Sequence, residues 1–144
     1  MLHDARIFSI GHAHRVRFEA PDVVVLAWNG DVEPEHMLTF YDMLEERAQG
    51  RQVLVVNDLT HSKDPGARTR KVATMDPRSR LVGALALLGA NYRLRVLVAM
   101  MDKAVRVFQG QTRRTACFDD EREARAWLAT QRQFLTPVDL ASAS

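Results

Sequence analysis

The sequence predicts an α/β fold built on a mixed, mainly parallel sheet. Two observations carry this. Short apolar runs alternate with segments of helical spacing, and the first two runs lie too close together for a crossover between them. Val16, Phe18 and Ala20 alternate with Arg15, Arg17 and Glu19, the two-residue period of a half-buried strand. Pro21-Asp22 supplies a turn, and Val23-Val24-Val25-Leu26-Ala27-Trp28 makes a second strand, so the pair forms an antiparallel hairpin. Asn29-Gly30-Asp31 breaks that strand. Pro34 then stands in the first turn of a helix, where a missing N–H costs nothing. Met37, Phe40, Tyr41, Leu44 and Ala48 form its buried stripe, and Gly50 ends it.

Residues 52–57 are a continuous apolar run, expected of a central strand covered on both faces. Residues 58–66 read as a polar loop and 67–74 as a short basic helix. The run 81–88 is a further buried strand, although its periodicity alone also allows a helix. Residues 91–108 form a long helix and 112–118 the last strand. Asp119-Asp120 caps a final helix carrying Ala124, Trp127 and Leu128. The order β-β-α-β-α-β-α-β-α, five strands and four helices, implies parallel pairing through right-handed crossovers, with the first hairpin strand antiparallel.

A chain of 144 residues suits one domain, here residues 12–132, with 1–11 as an N-terminal extension and 133–144 as a tail expected to be disordered. With 47% hydrophobic and 26% charged residues, wholesale disorder is excluded. No run approaches the ~18 consecutive apolar residues of a membrane span. The opening residues, Met1 to Arg6, lack the layout of a signal peptide. One cysteine, Cys117, closes no internal disulfide, so the cytoplasm is the expected compartment. In a strand its thiol is expected to act as a small buried hydrophobe.

The net charge is only +2, but it is unevenly spread. Residues 1–62 carry 5 basic and 10 acidic side chains, residues 63–114 carry 12 and 3, and residues 115–144 carry 3 and 5. A basic middle third suits an acidic partner, a nucleic acid or an anionic membrane surface, or is simply a solvated helix face. A nucleic acid is not the expected partner.

Signatures of catalysis are missing. There is no Gly-rich phosphate loop, no nucleophile elbow and no His-Glu-x-x-His pair. His12 and His14 could share a strand face, but no third ligand accompanies them, and no metal or cofactor is expected. Asp58, Thr60, His61 and Ser62, with Asp64 close by, cluster at the carboxyl end of a strand, where open α/β sheets bind ligands. A His-Asp pair there could do acid–base work. Loop polarity and capping explain the same residues.

The long helix is the most informative segment. Stepping ~100° per residue, Asn91, Arg95, Asp102, Lys103 and Arg106 fall on a polar arc. The apolar arc covers roughly 200°, well beyond the ~100° needed to lie on one core. Val96, Met100 and Val107 form its outer flank. Either neighbouring loops cover them or they are exposed and recognise something.

The run His14-Arg15-Val16-Arg17-Phe18-Glu19-Ala20-Pro21-Asp22-Val23, followed by Trp28-Asn29-Gly30-Asp31-Val32 entering a helix, resembles the SpoIIAA-like proteins of the STAS fold. Val55-Val56-Asn57-Asp58-Leu59-Thr60 is similar to the strand that ends in Asp-Leu-Ser or Asp-Leu-Thr in that family. The segment 118–128 is similar to its last strand and helix. The resemblance covers residues 12–132 and implies an anti-sigma-factor-antagonist fold, with SEC14-like lipid-binding relatives. The phospho-acceptor motif of switched STAS antagonists, of Asp-Ser-Ser-Gly type, has Lys63-Asp64-Pro65-Gly66-Ala67 in its place, with no hydroxyl after Asp64.

The expected function is therefore a non-enzymatic regulatory interaction module that binds an unidentified regulatory protein, with a homodimer as a further assembly. Its contact surface is expected to combine Tyr92, Val96, Met100, Val107, Arg95 and Arg106 of the third helix with Arg68, Arg70 and Lys71 of the second. The alternative is a carrier or sensor of an apolar, lipid-like ligand with the third helix as its lid.

Overall fold

The computed structural model describes residues 6–142. Within them, six strands and four α-helices follow in chain order: β1 (Ile7–Ile10), β2 (His14–Glu19), β3 (Val23–Ala27), α1 (Pro34–Ala48), β4 (Val53–Asp58), α2 (Ala67–Met75), β5 (Val82–Leu88), α3 (Tyr92–Gln109), β6 (Arg114–Phe118) and α4 (Glu121–Gln131). A 3₁₀ turn at Pro77–Leu81 joins α2 to β5. The strands form one sheet in sequence order, β1-β2-β3-β4-β5-β6. β2 runs antiparallel to both β1 and β3, and β3 through β6 are parallel.

Alternation along the central strands assigns side chains to two cores. Val53 and Val55 of β4 join Val24, Leu26, Leu85 and Leu87 beneath Phe40, Tyr41 and Leu44 of α1 and Leu94 of α3. Leu54 and Val56 face the other way and pack with Ala84, Ala86 and Leu88 under Ala124 and Leu128 of α4. Helices α1, α2 and α3 therefore lie side by side on one face, and α4 alone covers the other. Burying each Leu or Val completely contributes about 1.5–3 kcal/mol. The Tyr41 hydroxyl ties α1 to α2 by donating to the Ala73 carbonyl at 2.5 Å, and burial raises its pKa above the ordinary tyrosine range.

Two expectations are corrected. The sheet has six strands rather than five, because residues 7–10 of the supposed extension pair antiparallel with β2, Ile7 opposite Arg17 and Ile10 opposite His14. Ile10 is buried and Phe8 partly so, and the Arg47 guanidinium stacks on the rings of Phe8 and Phe18. The tail is also ordered through residue 142. Pro137 bridges Arg51, Val138 donates its N–H to the Gly50 carbonyl at 2.7 Å, and the Val138 side chain enters the three-helix core. Apolar burial plus backbone pairing outweighs the entropy of ordering that segment. Residues 1–5, the bulk of the segment read for a signal peptide, and 143–144 of the tail lie outside the described residues.

Candidate interaction surface

Helix α3 is defined at both ends by its own sequence. The Asn91 side chain accepts from the Leu94 N–H at 2.9 Å, satisfying one of the free donors of the first turn. Gly110, at φ 69°, closes the helix by donating its N–H to the Arg106 carbonyl, a left-handed position that costs a glycine little. Leu94 and Val105 anchor the inner side, with Leu97, Val98 and Met101 partly buried around them. At the far end the Gln109 amide donates to the Met75 carbonyl at 3.0 Å, joining the last turns of α3 and α2.

The outer side of α3 is apolar and faces solvent. Tyr92 is 82% exposed, Val96 39%, Met100 62% and Val107 65%, and Phe108 near the end is 60% exposed. No loop among the described residues covers them, so of the two possibilities left by the sequence, these side chains are surface.

The charges around this row are not those the sequence grouped together. Arg95 and Arg106 are exposed on α3, as is Lys103, and Arg95 also donates through Nε to the Ala90 carbonyl at 3.0 Å. Arg93, which sequence reasoning did not single out, is exposed beside Tyr92 and forms an ion pair with Asp64. The one acid of the helix, Asp102, is partly buried and held by Arg113 at 2.7 Å. On α2, Lys71 is exposed. Arg70 turns back to the Pro65 carbonyl at 2.6 Å. Arg68 lines a separate cleft of about 410 Å³ together with Asp31, Glu33 and Asp64. That acidity is invisible in the local sequence, because Asp31 and Glu33 arrive from the other side of α1's start.

The loop candidates do not join this surface. One oxygen of Asp58 accepts both the Thr60 N–H at 3.0 Å and the Thr60 hydroxyl at 2.6 Å, a closed Asx turn. The His61 carbonyl accepts from the Gly30 N–H at 2.8 Å, and its side chain is exposed. Ser62 donates to the Lys63 carbonyl. The Gly30–His61 bond, with the Lys63 N–H donating to the Gly30 carbonyl at 3.0 Å, holds the β4–α2 loop against the β3–α1 loop.

Two further findings concern single residues. His14, weighed as a metal ligand with His12, is buried, and both of its ring nitrogens are used. Nδ1 accepts from the Asn29 N–H at 3.0 Å and Nε2 donates to the Asp31 carbonyl at 2.9 Å. Cys117 is exposed rather than buried, because β6 is the last strand of the sheet.

Beneath α3 lie two small cavities of about 60 and 90 Å³, both bordered by Trp28, Met37, Asn57, Val98 and Met101. The Asn57 side-chain oxygen is buried there without a hydrogen-bond partner. No helix among the described residues is long and apolar enough to cross a membrane.

Comparison with known proteins agrees with this architecture. A Shewanella loihica PV-4 protein with a SpoIIAA-like fold superposes with a TM-score of 0.57 at 16% identity, over 81% of this chain and 92% of that one. The anti-sigma factor antagonist SpoIIAA in its unphosphorylated form gives 0.54 at 13% identity, over 81% and 98%. At such identities the likeness shows the fold alone. No curated protein matches the sequence. The profile of the SpoIIAA-like family matches residues 23–129, from β3 to α4, and the chain belongs to that family.

Proposed function

We propose that the chain is a non-enzymatic regulatory module that binds another protein through the outer face of α3 and the adjoining part of α2. The observation that carries this is the row Tyr92, Val96, Met100 and Val107, exposed on the side of α3 away from buried Leu94 and Val105. Scattered surface hydrophobes need no explanation, but four along one face of one helix mark a contact. A rim of charged side chains around such anchors is the usual anatomy of a protein interface. The similarly folded SpoIIAA is an anti-sigma factor antagonist, which agrees in kind with a regulatory role. No catalysis is proposed, because Asp58 is occupied by Thr60 and His61 has no orienting partner among the described residues.

The test is site-specific photo-crosslinking in the host cell, with a photoreactive residue in place of Met100 and, as control, in place of exposed Ala129 on α4. One protein captured from position 100 and not from 129 supports the module. Equal labelling from both positions, or none from 100, sinks it.

A carrier of an apolar ligand is the second reading, favoured by the cavities under α3, which Trp28, Met37, Val98 and Met101 border. Cavities of about 60 and 90 Å³ fall far below the ~300 Å³ at which ligand pockets begin, so α3 would have to swing outward. Native mass spectrometry distinguishes the two: a bound lipid mass selects the carrier.

A further inference from the structure

We infer that the partner contacts α3 with an acidic amphipathic helix. This rests on the interaction reading above and names the chemistry of the occupant. The apolar row runs from position 92 to 107 of an 18-residue helix, a line of roughly 22 Å at ~1.5 Å per residue. A straight row of anchors of that length fits a second helix laid alongside, its own apolar side chains spaced at three and four residues.

The charge around the row is of one sign. Arg93, Arg95, Lys103 and Arg106 all lie exposed on α3, and Lys71 is exposed on neighbouring α2. Asp64 answers Arg93, while Asp102 is spent on Arg113 at 2.7 Å. Lys71, Lys103 and Arg106 have no ion pair among the described residues, so the cationic rim is left for a partner to neutralise. Carboxylates flanking the apolar face of the incoming helix do this, and they set partner choice and encounter rate more than affinity.

The same distribution argues against two other occupants. A second copy docked α3 to α3 would set these cations against one another with no free carboxylate between them, a like-charge contact that disfavours pairing. A bilayer surface takes a helix through a broad apolar face. Here Leu94, Leu97, Val98, Met101 and Val105 are turned inward, which leaves a narrow outer row of Tyr92, Val96, Met100 and Val107 with Phe108 at the helix end. Stepping ~100° per residue, Lys103 falls between Tyr92 and Val96, in the middle of the exposed row.

The experiment uses the full chain and two synthetic peptides of α3's own length, 18 residues. Both carry leucine along one face; one has glutamate on its flanks and the other lysine. Binding is followed by NMR and by titration, with self-association and sedimentation on phosphatidylglycerol vesicles measured in parallel. The glutamate peptide is expected to shift the signals of Val96, Met100 and Val107 and to bind at least tenfold more tightly than the lysine peptide, ~1.4 kcal/mol. Lys103→Glu with Arg106→Glu should reverse that preference. Equal affinity for both peptides, vesicle binding without peptide binding, or dimerisation through α3 overturns the inference. If position 100 crosslinks one partner whose contacting segment is neutral or basic, the interaction module stands and the acidic helix falls. If nothing crosslinks and neither peptide binds, both fall.

Discussion

His14 and Asn29 are joined by a hydrogen bond that only a neutral imidazole can make: the Asn29 N–H donates to Nδ1 of His14 at 3.0 Å. The other ring nitrogen already donates to the Asp31 carbonyl at 2.9 Å, so a second proton would break the first bond. Burial is the main cause that holds the His14 pKa below its ordinary value of 6.5, opposed by the bond to Asp31 and aided by nearby His36 and Arg15. The His36 ring centroid lies 4.6 Å away. A lowered folded-state pKa means that the unfolded chain takes up the proton first, so this stabilisation is complete above pH 6.5 and is lost as pH falls through the folded value. The melting temperature should therefore drop as the solution is acidified below neutrality. His14→Gln should flatten that dependence, and a pH series of melts on both proteins measures it.

Met100 and Leu94 occupy opposite sides of α3, 62% and 2% exposed. Met100→Glu should change stability by no more than about 0.5 kcal/mol, while Leu94→Ala should cost about 2–5 kcal/mol by leaving a cavity in the core. Urea denaturation of the two variants is the check. A Met100→Glu protein that loses several kcal/mol would place that side chain in the core and remove the basis of the proposed surface.

Gly89 follows β5 at φ +66°, and a β-carbon built there would lie 2.2 Å from the Thr60 hydroxyl and 3.1 Å from its Cα. Thr60 cannot withdraw freely, because the Asp58 carboxylate holds its hydroxyl. Gly89→Ala should destabilise by about 1–3 kcal/mol through backbone strain and this clash combined. Thr60→Gly should recover part of the loss in the double variant, measured as a double-mutant cycle in urea.

Glu19 is gripped by Arg125, whose two terminal nitrogens reach its two oxygens at 2.7 and 2.9 Å, and Arg17 adds a bond at 2.9 Å. The Arg125 contact is the first cause holding the carboxyl at about 2, below its usual 4.5. Because the folded value is depressed, the stabilisation is present above pH 4.5 and disappears as pH falls toward 2. Both side chains are about one-third exposed, so solvent screening discounts the pair. Arg125→Ala should cost roughly 1 kcal/mol at neutral pH, with a smaller loss at pH 3, as thermal melts at the two pH values would show.

The elements themselves were legible in the sequence because their causes are local. Alternating Val16 and Phe18, Pro34 at a helix start, Asp120 as the cap of α4, and the surplus of apolar side chains on α3 depend only on neighbours a few residues away. A helix on one core can bury only one side, so the excess of Val96, Met100 and Val107 was visible before any fold was known. Whether that excess faces solvent was decided by tertiary structure alone, since any distant segment could have covered it. The same holds for β1, whose strand character depends on finding β2 as a neighbour, and for Val138, buried because the chain returns to Arg51. Arg68 shares a cleft with Asp31, Glu33 and Asp64, and Cys117 is exposed on an edge strand. Charge environment and burial are sums over residues brought together by folding, and spacing along the chain does not encode those sums.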